Sequence, residues 1–159
     1  MKYYIVIPSY NEEALIGLTL QSLISQTVLP SKIVVVNDNS TDRTAEVVLE
    51  FAKNNPYISL VNKSSENIHL PGSKVIQAFE KGFETLDDNY DLIVKIDADL
   101  IFPTNYFETI IKHFQSDERI GMAGGFCYIE KNGNWVLENL TDKDHIRGAL
   151  KAYRKETFK

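Results

Sequence analysis

Short apolar runs alternate along the chain with longer segments in which apolar residues recur every three or four positions. Continuous runs predict strands buried on both faces, and the longer spacing predicts amphipathic helices. The predicted strands cover residues 3–7, 33–36, 57–61 and 92–96. One helix is predicted after each strand, from the apolar sets within 15–24, 45–52, 75–86 and 106–114. The buried faces of the first three helices are expected to include Leu15, Leu18, Leu49 and Val75.

The pattern changes after Ile120. Residues 121–129 and 135–137 flank the turn sequence Asn132-Gly133-Asn134, which predicts a β-hairpin. Residues 146–153 predict a further strand. Because strands that alternate with helices are typical of a parallel sheet with helices on both faces, we predict an α/β fold with a mostly parallel central sheet. A single domain over residues 1–159 is expected, since the chain contains no repeat and no linker-like segment.

The composition narrows the class of protein. The 159 residues are 43% hydrophobic and 25% charged, as in a soluble globular domain, and the net charge of −5 argues against a nucleic-acid partner. With one cysteine, Cys127, the chain forms no internal disulfide, and this residue is expected in the core. No apolar run approaches the roughly 20 residues of a transmembrane helix, and the N-terminus does not resemble a signal peptide. A cytoplasmic domain is therefore expected.

Polar clusters directly follow three of the predicted strands. They are Pro8-Ser9-Tyr10-Asn11, in which Pro8 is expected to end the first strand, Asn37-Asp38-Asn39-Ser40, and Asp97-Ala98-Asp99. In open α/β sheets, ligands bind in the crevice outside the carboxyl ends of the strands. These clusters are therefore the candidate ligand site.

The second cluster admits two interpretations. Ser40, Thr41 and Asp42 are residue types that form turns and cap helices, and a turn followed by a cap of the next helix is the favoured interpretation for them. Asp38 lies directly at the strand end, where its carboxylate could accept a hydrogen bond from a nucleobase N–H or from ribose hydroxyls. From spacing alone, a ligand role and a turn role for Asp38 are equally weighted.

Asp97 and Asp99 are two residues apart, so in an extended segment their carboxylates point the same way. Such a pair can hold Mg²⁺ or Mn²⁺, which prefer oxygen ligands and share them with substrate phosphates. A solvated turn is the alternative. His145 is a candidate third ligand, although a lone histidine is more often structural.

Other polar residues are weaker candidates. Tyr10 could stack on a base, whereas helix capping is favoured for Asn11, Glu12 and Glu13. Lys74 follows Pro71-Gly72 at a predicted helix start, where it could meet a phosphate or lie in solvent. Arg147 could clamp a diphosphate through its guanidinium. His69 and His113 are expected on the surface. The glycine-rich dinucleotide fingerprint and the P-loop are absent from the sequence.

Together, the segments IPSYNEE, VNDNSTDRT and KIDADL resemble the family 2 glycosyltransferases of the GT-A fold. The usual forms are P-x-Y-N-E, V-D-D-G-S-T-D-x-T and a D-x-D-like motif, and their order and spacing match here. HIRGALKAYRKETF also resembles a strand and helix start of bacterial members. The resemblance covers the whole chain. Asn37 replaces the first Asp of the usual pair, and Asn39 replaces a common Gly, which Asn tolerates because it adopts left-handed conformations.

The resemblance implies a role for each matching residue. Pro8, Tyr10 and Glu12 would frame the nucleotide pocket, and Asp38 would bind the base, typically at uracil N3. Asp97 would lie near the ribose and diphosphate. Asp99 would coordinate the metal, Mg²⁺ or Mn²⁺, which acts as a Lewis acid on the diphosphate.

The implied reaction is a metal-assisted, inverting transfer of a sugar from a nucleotide-diphosphate donor, typically a UDP-sugar, to a polysaccharide, cell-envelope or lipid-linked acceptor. Inverting members use a carboxylate base, which the family places beyond the position of Lys159. We therefore expect a donor-binding portion whose acceptor portion is missing, from a cytoplasmic protein that could dock at the inner face of the membrane. The alternatives are a non-catalytic nucleotide-diphosphate-binding module or inactive fragment, and a sugar nucleotidyltransferase, whose usual glycine-rich loop is absent.

Overall fold

The computed structural model describes residues 1–64, 73–137 and 150–158. The strands in these ranges are β1 Tyr3–Ser9, β2 Lys32–Asp38, β3 Ile58–Lys63, β4 Leu92–Ile96, β5 Met122–Ala123, β6 Tyr128–Lys131, β7 Asn134–Leu137 and β8 Leu150–Arg154. The helices are α1 Ile16–Ile24, α2 Thr44–Asn54, α3 Ser73–Phe83, α4 Tyr106–Ser116 and α5 Lys155–Phe158. The predicted alternation of strands and helices through the first four strands is confirmed.

Six strands form one sheet in the order β3-β2-β1-β4-β8-β5. The pairs β1–β2, β1–β4 and β2–β3 are parallel, whereas β8 is antiparallel to β4 and β5 is antiparallel to β8. The sheet is therefore mostly parallel, as predicted. The strand order places the carboxyl ends of β1, β2 and β4 side by side at one edge of the sheet.

Helices cover both faces of the sheet, and β1 shows why. Side chains alternate between faces along a strand. Tyr3, Ile5 and Ile7 pack in a cluster with α1, α2 and α4, whereas Tyr4 and Val6 pack in a second cluster with α3. All five side chains are buried, so β1 forms the centre of both cores.

Pro8 does not end β1, contrary to the expectation. β1 continues to Ser9, and Pro8 is paired in register with Val36 of β2. Proline is tolerated in a strand where no ladder hydrogen bond needs its missing N–H. β1 pairs with β4 only as far as Val6, so its β4 side is outside the ladder at Pro8.

The predicted helix faces were partly wrong. Leu15, Leu18, Leu49 and Val75 are exposed. The first helix begins at Ile16, and its buried residues are Ile16, Thr19, Leu20 and Leu23. A three-to-four spacing fits more than one helical face, so the sequence alone does not decide which leucines are buried.

The hairpin is confirmed as β6 paired with β7, with Asn132 and Gly133 at positive φ in its turn. Its first strand is shorter than predicted, because Met122–Ala123 belongs instead to the main sheet. β8 confirms the later part of the strand predicted over 146–153, while residues 146–149 lie outside the described residues. Across the described ranges, we find no helix with both the length and the apolar character to cross a membrane.

Gly82 of α3 allows this helix to approach the sheet closely. A Cβ atom at Gly82 would lie 2.6 Å from Val36 Cγ2 and 2.8 Å from Val6 Cγ1. We expect Gly82→Ala to destabilise the fold by about 1–3 kcal/mol, the usual cost of overpacking a core. Urea unfolding measures this change.

Gly17→Ala is the matched control. Gly17 also lies in a helix, but its added Cβ would make ordinary contacts of 3.5 Å with Val47 and 3.7 Å with Phe51. Because alanine is favoured over glycine in helices by about 1 kcal/mol, this variant should be at least as stable as the wild type. Equal stability of the two variants would contradict the close approach of α3.

Candidate functional site

A cleft of about 730 Å³ opens at the carboxyl ends of β1, β2 and β4, beside the start of α3. Its lining consists of Pro8, Ser9, Tyr10, Glu12, Asp38, Asn39, Thr41, Lys74, Val75, Ala78, Asp97, Ala98 and Asp99. All three polar clusters of the sequence contribute to this lining. The cleft is therefore the crevice that the strand-end clusters predict.

Seven candidate residues lie together in this cleft: Pro8, Tyr10, Glu12, Asp38, Lys74, Asp97 and Asp99. His145 and Arg147 lie outside the described residues, as do His69 and the Pro71-Gly72 pair. His113 is exposed on α4, as expected, and Cys127 is partly buried against the larger apolar cluster.

Reciprocal hydrogen bonds join the β1–α1 loop to the β2–α2 connection. The N–H groups of Asn11, Glu12 and Glu13 donate to Ser40 Oγ (3.0 Å), Thr44 Oγ1 (2.9 Å) and Asp42 Oδ2 (3.1 Å), respectively. In return, Thr41 N–H donates to Asn11 Oδ1 (2.8 Å) and Arg43 N–H donates to Glu13 Oε2 (3.3 Å). We call these bonds between residues 11–13 and 40–44 the loop clasp. It holds two walls of the cleft together.

The chain does turn before α2, but the capping part of the interpretation was largely wrong. The N-cap residues of α1 and α2 are Leu15 and Arg43, and neither makes a side-chain cap hydrogen bond. Asp42 Oδ1 does accept the N–H of Thr44, the first residue of α2, at 3.0 Å. The side chains of Asn11, Glu13 and Ser40 instead accept N–H groups of the neighbouring loop, because short oxygen-bearing side chains can satisfy a nearby backbone donor.

Two asparagines give the loops their shape. Asn11 has φ of 50° and Asn39 has φ of 60°, both in the left-handed region. Asparagine tolerates this region better than most residues. The expectation that Asn39 can replace glycine at its turn is confirmed.

Asp38, the last residue of β2, lies opposite Lys63, the last residue of β3. Lys63 Nζ is 3.8 Å from Asp38 Oδ1, and the two side chains are only 14% and 9% exposed. Beside them, Asn37 Nδ2 donates to Asn62 Oδ1 at 3.0 Å. Sequence reasoning missed Lys63, although its position two residues after the predicted strand 57–61 was an available signal.

The segment after β4 is anchored at its middle residue. Ala98 is buried, and its carbonyl accepts a hydrogen bond from Thr19 Oγ1 of α1 at 2.9 Å. The carboxylates on either side of Ala98 line the cleft. Asp99 is exposed, and Asp97 Oδ1 lies 4.0 Å from Lys95 Nζ.

Negative charge concentrates on one side of the cleft. Burial raises the pKa of Glu12, and the nearby carboxylates of Asp99, Asp97 and Asp42 raise it further. On β4, burial lowers the pKa of Lys95, an effect that Asp97 opposes and Lys151 reinforces. A cation among these carboxylates would relieve their mutual repulsion.

No cluster of three or more His, Cys, Asp or Glu side chains suited to a metal ion occurs within residues 1–64, 73–137 and 150–158. Asp97 and Asp99 nevertheless supply the hard oxygen ligands that Mg²⁺ and Mn²⁺ prefer. Mg²⁺ is commonly held by one or two carboxylates, with waters and substrate phosphates completing its shell. The residues present therefore fit a divalent ion that a phosphate ligand helps to bind.

Thr44→Val tests the loop clasp. Valine keeps the shape of the buried threonine but removes the acceptor of the Glu12 N–H, which would leave a partly buried donor unpaired. We expect a loss of about 1–3 kcal/mol in the free energy of unfolding, the cost of an unsatisfied buried group. Thr109→Val on the exposed side of α4 is the control for helix propensity. A similar loss in both variants would contradict the role of the clasp.

Glu12→Gln tests the repulsion among the carboxylates. The folded-state pKa of Glu12 is raised above its ordinary value of 4.5, so the wild type loses stability as pH rises from that value through the folded-state pKa. The glutamine variant should therefore gain stability over the wild type between acidic and neutral pH, as measured by urea unfolding across this range. Glu84→Gln, beyond the far end of α3, controls for the loss of one charge. A difference that is independent of pH would contradict the assignment.

Comparison with known proteins identifies the family. The model of "Glycosyl transferase family 2" matches residues 4–158. The glycosyltransferase GlyA of Streptococcus pneumoniae is 31% identical over 144 residues, which are 89% of this chain and 19% of the relative. The chain spans between 19% and 37% of the length of three curated relatives that it matches.

Two solved structures share the fold. One is a mannosyltransferase of Pyrobaculum calidifontis in complex with GDP-Man and Mn²⁺, with a TM-score of 0.66, 19% identity, and coverage of 98% of this chain and 45% of that chain. The other is the glucosyl-3-phosphoglycerate synthase of Mycobacterium tuberculosis in complex with Mn²⁺, UDP and phosphoglyceric acid, with a TM-score of 0.64, 21% identity, and coverage of 98% and 56%. The predicted GT-A fold is confirmed. Since the family model extends over almost the whole chain, this chain belongs to glycosyl transferase family 2.

Proposed function

We propose that the cleft binds a nucleotide-diphosphate sugar and that the protein transfers this sugar to a glycan or lipid-linked acceptor. The observation that carries the proposal is the convergence of Tyr10, Asp38, Asp97 and Asp99 on one cleft. The aromatic ring of Tyr10 suits stacking on a base, and the buried carboxylate of Asp38 suits hydrogen bonds from a base or a ribose. The paired oxygen ligands of Asp97 and Asp99 suit a metal ion that binds a diphosphate. The nucleoside diphosphates in the two solved neighbours support this choice of ligand.

The nucleoside would lie at the Asp38 end of the cleft. A carboxylate accepts hydrogen bonds, and uracil presents a ring N–H at N3, so a UDP-sugar is the donor that we propose first. Lys63 Nζ, 3.8 Å from Asp38 Oδ1, restrains the position of this carboxylate. Tyr10 is exposed and can stack on the base.

The diphosphate would lie at the Asp97 and Asp99 end, with Mg²⁺ or Mn²⁺ held by these carboxylates. When bound, the ion supplies Lewis-acid stabilisation of the charge that develops on the leaving nucleotide. Lys74, at the start of α3, lines the cleft and can donate to a phosphate oxygen.

The proposed transfer is inverting, so the acceptor hydroxyl attacks the anomeric carbon from the face opposite the nucleotide. This step needs a carboxylate that takes the hydroxyl proton. We propose that the residues of this chain bind and orient the donor and stabilise its leaving group, and we assign the base to none of them.

Calorimetric titration of UDP, with and without Mn²⁺, tests the proposed site. We expect Mn²⁺ to tighten UDP binding at least about tenfold, and Asp99→Ala to abolish this gain. Asp117→Ala, which removes a carboxylate just after α4, is the matched control. Asp38→Asn should weaken UDP binding while the tightening by Mn²⁺ remains, because it alters only the proposed base contact.

Three outcomes would count against parts of this assignment. Unchanged Mn²⁺ dependence in Asp99→Ala would remove Asp99 as a metal ligand. Binding of GDP or dTDP in place of UDP would change the donor but keep the site. A folded chain that binds none of the three nucleotides would contradict the proposed function.

A further inference from the structure

Two lysines face each other across the pairing of β4 with β8. Lys95 and Lys151 are direct partners in this antiparallel register, so their side chains leave the sheet on the same face. Like charges directly opposite each other in a sheet are destabilising. The fold therefore places two like charges side by side at this position.

The lysine pair lies on the sheet face that packs against α3. On this face, the neighbouring pair Ile93 and Tyr153 belongs to the second apolar cluster. Since side chains alternate with a period of two, Lys95 and Lys151 continue the same face toward the carboxyl end of β4. The apolar surface therefore gives way to two cations at the end of the sheet where the cleft opens.

Lys95 is close to the cleft. Its side chain is only 18% exposed, and its Nζ lies 4.0 Å from Oδ1 of Asp97, which lines the cleft. Lys151 is half-buried. An anion bound between the two lysines would be attracted by both ammonium groups.

The rest of the cleft makes such a cationic pair useful. Glu12, Asp38 and Asp99 are carboxylates in its lining, and they repel any phosphate that enters. A phosphate-bearing ligand therefore needs fixed positive charge near its path. Lysine ammonium groups offer three donors each and bind phosphate as compact charges.

We propose that Lys95 and Lys151 form a phosphate-binding subsite at the edge of the cleft, beside Asp97. This inference rests on the proposed function and extends it to a second group of residues. The phosphate belongs either to the diphosphate of the donor or to an anionic acceptor, since both present the same oxygens.

Lys151→Met tests the subsite, because it removes one charge and keeps Lys95 beside Asp97. UDP is titrated by calorimetry and uridine by ligand-observed NMR, both in the presence of Mn²⁺. If the donor diphosphate occupies the subsite, UDP affinity falls by roughly tenfold, the scale of one charge-assisted contact, and uridine affinity is unchanged. Lys151→Arg should retain UDP affinity. Lys112→Met, on the exposed side of α4, controls for the loss of one positive charge.

Titration with inorganic phosphate tests whether the subsite binds an anionic acceptor instead of the donor diphosphate. If UDP binds the wild type and Lys151→Met equally, phosphate is titrated into each protein saturated with UDP and Mn²⁺. If the wild type binds this phosphate and Lys151→Met does not, the subsite belongs to an anionic acceptor. If the variant changes neither UDP nor phosphate binding, or weakens UDP and uridine to the same extent, the subsite is refuted.

If the wild type binds GDP or dTDP instead of UDP, that nucleotide and its nucleoside replace UDP and uridine in the titrations. A folded wild type that binds none of the three nucleotides contradicts the proposed function rather than the subsite. In that case, phosphate is titrated into the nucleotide-free protein. If phosphate binds the wild type and Lys151→Arg but not Lys151→Met, the result still supports the subsite. If phosphate binds all variants equally, or does not bind the wild type, the subsite is refuted.

Discussion

The loop clasp is the constraint on which the cleft depends. β1 and β2 remain paired as far as Ser9 and Asn37, and beyond that point their connections lead to different helices. Backbone N–H groups beyond the ladder need other partners, and any that are left unpaired in a buried position cost free energy. In this chain, the donors of 11–13 use side chains of 40–44, and two donors of 40–44 use side chains of 11–13. Tyr10 and Asp38 therefore lie on two walls that the clasp joins.

The clasp contains acidic side chains, and further carboxylates line the cleft. Lysines that lie mostly out of solvent offset part of this negative charge. Lys63 lies against Asp38, and Lys95 lies against Asp97. Each pair is long by salt-bridge standards, at 3.8 and 4.0 Å, so each lysine restrains its carboxylate without enclosing it. Because removing charged groups from water is costly, such partly buried pairs are weak evidence for a stabilising role.

Local pattern predicted the parts of the fold that depend on neighbours in sequence. β4 has the bounds that its apolar run predicts, and the three strand-end clusters meet in one cleft. The roles of Ser40 and Asn11 were not predictable, because capping and bonding to a neighbouring loop use the same side-chain oxygens. Only the adjacency of β1 and β2 decides between them. The choice of buried leucines in α1 failed for a related reason, since it depends on where the helix begins and which strands it faces.

Strand order also explains why the roles of Lys63, Lys95 and Lys151 were not predicted from the sequence. Lys63 meets Asp38 because β3 pairs with β2, and Lys151 meets Lys95 because β8, more than fifty residues away, pairs antiparallel with β4. The reversed direction of β8 is decisive: its first residues, rather than its last, lie beside the carboxyl end of β4. A parallel strand at this position would present its carboxyl end there and would place Lys151 at the other end of the sheet. The antiparallel pairing of β8 with β4 therefore brings Lys151 to the end of the sheet where Asp97 and Asp99 follow β4.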